Sequence, residues 1–245
     1  MPEDRFGESV AARYDDSAHE MFDAVILERT VAILANLARG GSALELGIGT
    51  GRIALPLHMA GVPVHGIDLS PAMIKRLKAK PGGDRIDVTV GDFATAIAPG
   101  TYRLAYLVYN TIMNLTTQAE QVVCFRNVAR HLEPGGRFVI EVGVPDLQRL
   151  PRGEIYRPFR VSPQKLGFDE YDVVNQGVIS HHFAFEEGKV RTISHPFRYV
   201  WPSELDLMAQ LAGMTLVARW GDWDRQPFTS DSEKHVSIWQ KQVAD

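Results

Sequence analysis

The sequence predicts an α/β fold: a seven-stranded, mostly parallel sheet with helices on both faces, an N-terminal helical cap and an antiparallel β insertion as a lid. Three observations carry this. A buried apolar run ends in the glycine-rich turn Glu45-Leu46-Gly47-Ile48-Gly49-Thr50-Gly51 and is followed at once by a helical pattern. Apolar strand-like runs then alternate with helical segments as far as residue 144, the rhythm of βαβ units with right-handed crossovers. From 145 to 200 that rhythm gives way to a hairpin.

Residues 1–40 read as helical. Ser17-Ala18-His19-Glu20 fits a capping box, Met21, Phe22, Val25, Ile26, Ile33, Leu34 and Leu37 follow at mostly helical spacing, and Gly40-Gly41 ends the helix. Ala43–Leu46 is the first strand. Glycine lacks a Cβ, so alternating glycines let backbone amides approach a ligand. The run Ile53 to Met59 starts a helix whose N-terminus favours anionic groups.

Val64 to Asp68 is a second strand ending in an acid, about 20 residues after the glycine turn, a spacing that suits hydrogen bonds to ribose hydroxyls. Ser70-Pro71 opens the next helix, with serine at the cap and proline at the first helical position. Ile86 to Gly91 is a third strand, closed by Asp92-Phe93. Leu104 to Tyr109 is a fourth, ending in Asn110-Thr111. Thr117-Gln118-Ala119-Glu120 opens a helix that ends near Leu132, and Gly136 to Ile140 leads into a fifth strand.

Pro145 to Pro158 reads as a loop. Val178–Phe185 and Val190–Val200 form a hairpin around residues 186–189. Trp201-Pro202-Ser203-Glu204 opens a helix through Ala212, and Thr215–Arg219 and Val236–Gln240 are the last two strands. The organisation is therefore 1–144 cap and ligand-binding core, 145–200 lid, and 201–245 the closing helix and strands.

The glycine turn departs from the dinucleotide fingerprint G-x-G-x-x-G, since Arg52 stands where the third glycine or an alanine packs helix on strand. The pattern Glu45-x-Gly47-x-Gly49-x-Gly51 instead resembles the first motif of the class I S-adenosylmethionine-dependent methyltransferases. Asp68, Gly91-Asp92-Phe93, the tip of the fourth strand and Leu132-Glu133-Pro134-Gly135-Gly136 match that family's later segments in order, over about residues 40–145. The resemblance implies a Rossmann-like core with an antiparallel seventh strand, and S-adenosyl-L-methionine as cofactor.

It further implies that Gly47, Gly49 and Gly51 present backbone to the methionine end, and that Glu45 orients the turn or the cofactor's ammonium. Asp68 would bind the ribose with Leu69 against the adenine, Asp92 and Phe93 would meet the adenine edge, and Asn110 would stand near the methyl group. Tyr14 resembles a tyrosine of N-terminal caps that closes over the cofactor, or is a packing aromatic. Arg52 pairs with the cofactor carboxylate or is a solvated helix-start arginine. The acids Asp68 and Asp92 also suit strand-end turns. Arg103 stands where family members commonly carry an acid.

On the acceptor side, alternation in the hairpin puts Ile179, His181, Phe183 and Phe185 on one face, and Ile193, His195, Phe197 and Tyr199 on one face of the partner run. The expectation is an apolar lid surface carrying His181 and His195 as candidate bases, because imidazole titrates near neutrality. The simpler reading of each is a packing histidine. His182 falls on the opposite face, expected to be solvated, and Gly221-Asp222-Trp223-Asp224 is a candidate pocket wall.

Composition narrows the function. With 245 residues, 45% of them hydrophobic, the chain supports one sizeable core. The net charge of -4 and the lack of a basic stripe argue against nucleic acid. The lone Cys124 reads as a buried small hydrophobe. No apolar run is long enough to span a membrane, no signal peptide is evident and no metal-ligand spacing occurs, so a cytoplasmic, metal-free protein is expected. No Asn-Pro-Pro-Tyr follows the fourth strand and no Pro-Cys pair occurs, which disfavours methylation of nucleic-acid bases or of glutamine. The sequence reading is thus a methyltransferase acting at nitrogen or oxygen of a small, partly apolar molecule, with no oligomeric state specified. Its rivals are a non-catalytic S-adenosylmethionine-binding protein of the same fold and a nicotinamide dehydrogenase.

Overall fold

A computed structural model describes residues 4, 6–17, 23–186 and 188–243 of the chain. Five strands are consecutive members of the central sheet: β1 (Ala43–Leu46), β2 (Val64–Asp68), β3 (Asp87–Val90), β4 (Tyr102–Leu107) and β5 (Leu132–Gly143). Two late strands, β10 (Met214–Trp220) and β11 (Lys234–Lys241), complete it in the order β10-β11-β5-β4-β1-β2-β3. β11 runs antiparallel to both neighbours, and the pairs among β1 to β5 are parallel. This is the Rossmann-like sheet expected. The strand order turns back at β1, which pairs with both β2 and β4, so the crevice beyond their carboxyl ends is the place for a ligand.

Helices cover both faces. α3 (Ala24–Ala38), α4 (Ala54–Met59) and α5 (Pro71–Lys78) bury Leu34, Leu57 and Leu77 in one core with Tyr106. α6 (Gln118–His131) and α7 (Pro202–Leu211) build the other, where Phe125 meets Phe138 and Trp239 edge-on at 5.1 and 5.7 Å. Buried Cys124 belongs to this second core. The caps expected at Ser70 and at Thr117/Glu120 are both formed.

The first helix starts later than expected. Ser17 ends the short helix α2 (Tyr14–Ser17), which follows α1 (Glu8–Ala11), while α3 is capped by Asp23, whose carboxylate accepts the Val25 and Ile26 amides. The rest of the proposed capping box, with Met21 and Phe22, lies outside the described residues. β4 also starts and ends two residues earlier than the apolar run suggests.

The larger correction is in the insertion. It is a four-stranded antiparallel sheet, β6 (Tyr156–Val161), β7 (Lys165–Asp172), β8 (Gly177–Glu186) and β9 (Lys189–Arg198), in sequential order. Two of these strands were not expected, and the loop ends before Pro158. Pro158 is tolerated because β6 is an edge strand, and Phe159 beside it is an extra bulge residue. No helix of the described residues is long and apolar enough to cross a membrane.

Candidate active site

A cavity of about 1030 Å³ lies at the carboxyl ends of β1, β2 and β4, bounded by the N-terminal segment and one face of the second sheet. Gly47 and Gly49 line it from the turn after β1. Gly47 has φ +70°, and a Cβ there would stand 2.7 Å from the Thr111 Cγ2, so the turn admits only glycine without rearrangement. The Gly47 and Ile48 amides both donate to the Ile67 carbonyl, which fixes the turn to the end of β2.

Asp68 stands at that end, 9% exposed and on the cavity wall. Its Oδ2 accepts the Gly49 amide at 2.6 Å and its Oδ1 accepts the Ser70 amide at 2.9 Å. Burial raises its pKa, and the two amides oppose that rise. Leu69, Asp92 and Phe93 continue the same wall, with the Asp92 carboxylate accepting the Ala94 amide at 2.9 Å.

The tip of β4 carries a feature that periodicity does not reveal. Tyr109 and Asn110 are consecutive non-glycine residues in left-handed backbone, with φ +54° and +61°, and both line the cavity. The Asn110 Oδ1 accepts the Gly143 amide at 2.7 Å and the Tyr109 amide donates to Glu141 at 3.2 Å, so the end of β5 holds this conformation. Strain of this kind concentrates at functional sites. The sequence signal for Tyr109 was its place beside Asn110 at a strand end.

Tyr14 also lines the cavity, and burial raises its phenol pKa. Phe6 joins it, and the Phe6 carbonyl accepts the Ser70 hydroxyl at 2.8 Å, tying the N-terminal segment to the core.

Three expected cofactor residues stand behind this wall. Glu45 is 4% exposed, and its Oε2 accepts the Tyr106 hydroxyl at 2.9 Å. Burial pushes its pKa up to about 8, against the opposing hydrogen bond and the charge of Arg52. Gly51 faces the core, where a Cβ would collide with Leu77 Cδ1. Arg52 puts its guanidinium 5.5 Å from the centre of the Tyr109 ring, and none of the three lines the cavity. Nor does the stretch 221–224: Trp223 is buried in the core and Asp224 pairs with Arg29.

The histidines are placed differently from the alternation argument. β8 and β9 pair with Ser180 opposite His195 and His181 opposite Ser194. The two sets expected to share a face are therefore on opposite faces. His181 is turned from the cavity, between Ser194 at 2.8 Å and Glu170 at 3.2 Å. His182, expected to be solvated, lines the cavity with Val178 and Ser180. His195 shares the cavity-side face but does not line the cavity; its ring stacks on Phe6 at 6.3 Å.

Among the described residues the lining is acidic, with Asp4, Asp68, Asp92, Glu120, Asp146 and Asp169 beside the fixed cations Arg160 and Lys165. Such a pocket favours a positively charged guest.

A family model described as a methyltransferase domain matches residues 43–136. The structure of the CcbJ methyltransferase from Streptomyces caelestis is similar at TM-score 0.80 and 34% identity, covering 89% of this chain and 90% of that one. The cypemycin N-terminal methyltransferase of a Streptomyces species is 26% identical over 244 residues, 94% of this chain and 98% of that protein. CalS10, an amino pentose methyltransferase from Micromonospora echinaspora solved with S-adenosylmethionine bound, shares the fold at TM-score 0.69 and 18% identity, covering 99% and 100%. With the glycine turn and its acid already joined at the switch point of the sheet, the chain belongs to the class I S-adenosylmethionine-dependent methyltransferases.

Proposed function

We propose that this enzyme methylates the nitrogen of a small, partly apolar amine. The observation that carries the reading is the acid-rich cavity, lined among the described residues by six carboxylates and two fixed cations. An amine in water is mostly ammonium, and such a wall draws it in. The cavity volume of about 1030 Å³ stands at the top of the usual range for single-ligand sites, about 300–1,000 Å³, so cofactor and acceptor have room together. The name of the cypemycin relative locates its own methylation at an N-terminus.

The residues present fit the cofactor. Gly47 and Gly49 bring bare backbone to the cavity wall, where a Cβ at Gly47 would push into Thr111. A carboxylate has about four acceptor sites, and two backbone amides use two of those on Asp68, leaving sites for ribose hydroxyls. Leu69, Asp92 and Phe93 hold the adenine end. Tyr14 would cover the cofactor, and Tyr109 and Asn110 would hold its methionine end. Glu45 acts from behind, tying β1 to β4 through the Tyr106 hydroxyl, and Arg52 supports the Tyr109 ring. When bound, S-adenosylmethionine supplies an electrophilic methyl group on a sulfonium.

What the chain adds is alignment and exclusion of water, which together lower such barriers by about 7–11 kcal/mol. The second sheet is the lid over the acceptor end. The acceptor nitrogen must be neutral to attack, so the site must also dispose of a proton.

The test is S-adenosylhomocysteine release with benzylamine, a short peptide with a free N-terminus and an amino sugar, each beside its hydroxyl counterpart. Turnover of amines is expected. Turnover of hydroxyl counterparts alone overturns the nitrogen reading.

A further inference from the structure

Three side chains on the cavity wall of the second sheet form one line. Asp169 on β7 and Ser180 on β8 are direct cross-strand partners, and His182 follows on the same face of β8. The Ser180 hydroxyl lies 3.3 Å from His182 Nε2, and from directly across the strand pair it counters the burial that raises the pKa of the Asp169 carboxylate. The bulge residue Phe159 packs its ring 5.2 Å from the imidazole.

This line assigns a tautomer. A serine hydroxyl has one proton to donate, and an ionised carboxylate can only accept. Ser180 therefore donates to Asp169 and accepts from His182. The imidazole carries its proton on Nε2, and its Nδ1 presents a bare lone pair. Among the described residues Nδ1 makes no hydrogen bond.

We propose that His182 Nδ1 receives the proton shed by the acceptor ammonium, with Ser180 and Asp169 as the residues that position it. The inference rests on the nitrogen reading above. In the step, an N–H bond of the ammonium breaks and its electron pair remains on nitrogen. The proton bonds to Nδ1, giving an imidazolium, and the exposed edge of His182 passes it on to water. An alkylammonium is a weaker acid than an imidazolium, with pKa values of about 10.4 and 6.5, so the transfer runs uphill and is drawn forward as neutral nitrogen is consumed.

The charges around the ring agree. Burial lowers the His182 pKa, and Arg160 and His181 lower it further against the opposing charge of Asp169. The imidazole is therefore neutral above pH 6.5, the state that can take a proton. His181, on the opposite face of the sheet, is held instead by Glu170 and Ser194.

Two measurements test the proposal. In protein labelled with ¹⁵N-histidine, long-range ¹H–¹⁵N correlations of His182, assigned by their loss in His182→Gln, should report the Nε2–H tautomer, and Ser180→Ala should mix the tautomers. A Nδ1–H tautomer in the native protein overturns it. With the panel amine turned over fastest, His182→Gln should lower kcat about 10²–10⁴-fold, the usual worth of general-base catalysis, with unchanged S-adenosylhomocysteine affinity. The inflection of kcat below pH 6.5 should vanish, and Asp169→Asn should move it. A turnover and pH profile unchanged by His182→Gln defeats the base role while leaving the nitrogen reading intact. If no amine is turned over, the nitrogen reading falls and the base role with it, whatever the tautomer.

Discussion

The Asp68 carboxylate takes the Gly49 amide at 2.6 Å, across 19 residues of sequence and between the ends of two adjacent strands. The acid and the glycine turn are therefore one unit before any ligand arrives. The carboxylate pre-shapes the turn with one oxygen and starts the next helix with the other, through the Ser70 amide. The strand-end turn that suits Asp68 is formed, and the same carboxylate clasps the glycine turn.

Asp68→Ala should weaken S-adenosylhomocysteine binding by about 10–150-fold. A hydrogen bond to a charged group is worth about 1.5–3 kcal/mol, so loss of the one proposed to the ribose alone accounts for that range, and loosening of the turn adds to it. Asp68→Asn should not restore affinity, because one amide oxygen cannot serve two backbone donors on opposite sides. Calorimetry decides this, and unchanged affinity in a folded Asp68→Ala protein contradicts the ribose role.

Gly47→Ala and Gly51→Ala should fail in different ways. Both positions have positive φ, at a cost to alanine of about 1–2 kcal/mol. At Gly51 the new methyl also strikes Leu77 Cδ1 and Leu55 inside the core, so the melting temperature should fall most there. At Gly47 it displaces Thr111 at the cavity wall, so loss of cofactor affinity should exceed loss of stability. Equal stability losses with equal affinity losses contradict this division.

Most of the central sheet was legible because its signals are local. The strand, glycine turn and capped helix each sit within about ten residues, and Ser70 and the Thr117/Glu120 pair cap their helices as read. The second sheet was half hidden for equally physical reasons. β6 carries a proline and a bulge, and β7 is interrupted by Gly167 and four charged residues, Lys165, Asp169, Glu170 and Asp172. Neither shows alternation strong enough to mark a half-buried strand.

The cavity wall was legible where it follows the parallel strands and illegible where it depends on pairing. Period two divides each lid strand into two faces but does not say which face of β8 joins which face of β9. Register decides that, and it put Ser180, not His181, beside His195. Glu45 and Arg52 show a second gap: a motif fixes proximity to a ligand but not which side of the turn a side chain takes.

Arg198 should prove the anchor of the second sheet. It is 3% exposed where β9 leaves the second sheet, and it donates to Gln121, Gln176 and Glu204 at 2.5, 2.9 and 2.7 Å. Burial would raise the Glu204 pKa, yet hydrogen bonds from Arg198, Gln118 and Gln176 hold it below the usual value. Arg198→Ala leaves that carboxylate without its cation and the Gln121 and Gln176 side-chain oxygens without their donor, at a cost of about 3–5 kcal/mol. The melting temperature should drop by about 10 °C or more, and amides of β8 and β9 should exchange faster than those of β1 and β4. Uniform loss of protection across both sheets contradicts an anchor specific to the second sheet.

Glu45 should make stability pH-dependent. Burial pushes its pKa up to about 8 from an ordinary 4.5, so the folded state holds its proton where the unfolded chain has released it. A raised folded-state pKa gives stability that is complete below pH 4.5 and lost progressively as pH rises to about 8, by about 1.4 kcal/mol per unit. Glu45→Gln has no proton to lose and keeps an oxygen for the Tyr106 hydroxyl. Other titrating groups are common to both proteins and cancel in the difference. Urea unfolding should therefore find the glutamine variant gaining on the native protein from pH 5 to pH 8 and level beyond. A difference that stays flat across that range means that Glu45 is ionised in the fold, held so by the Arg52 charge nearby.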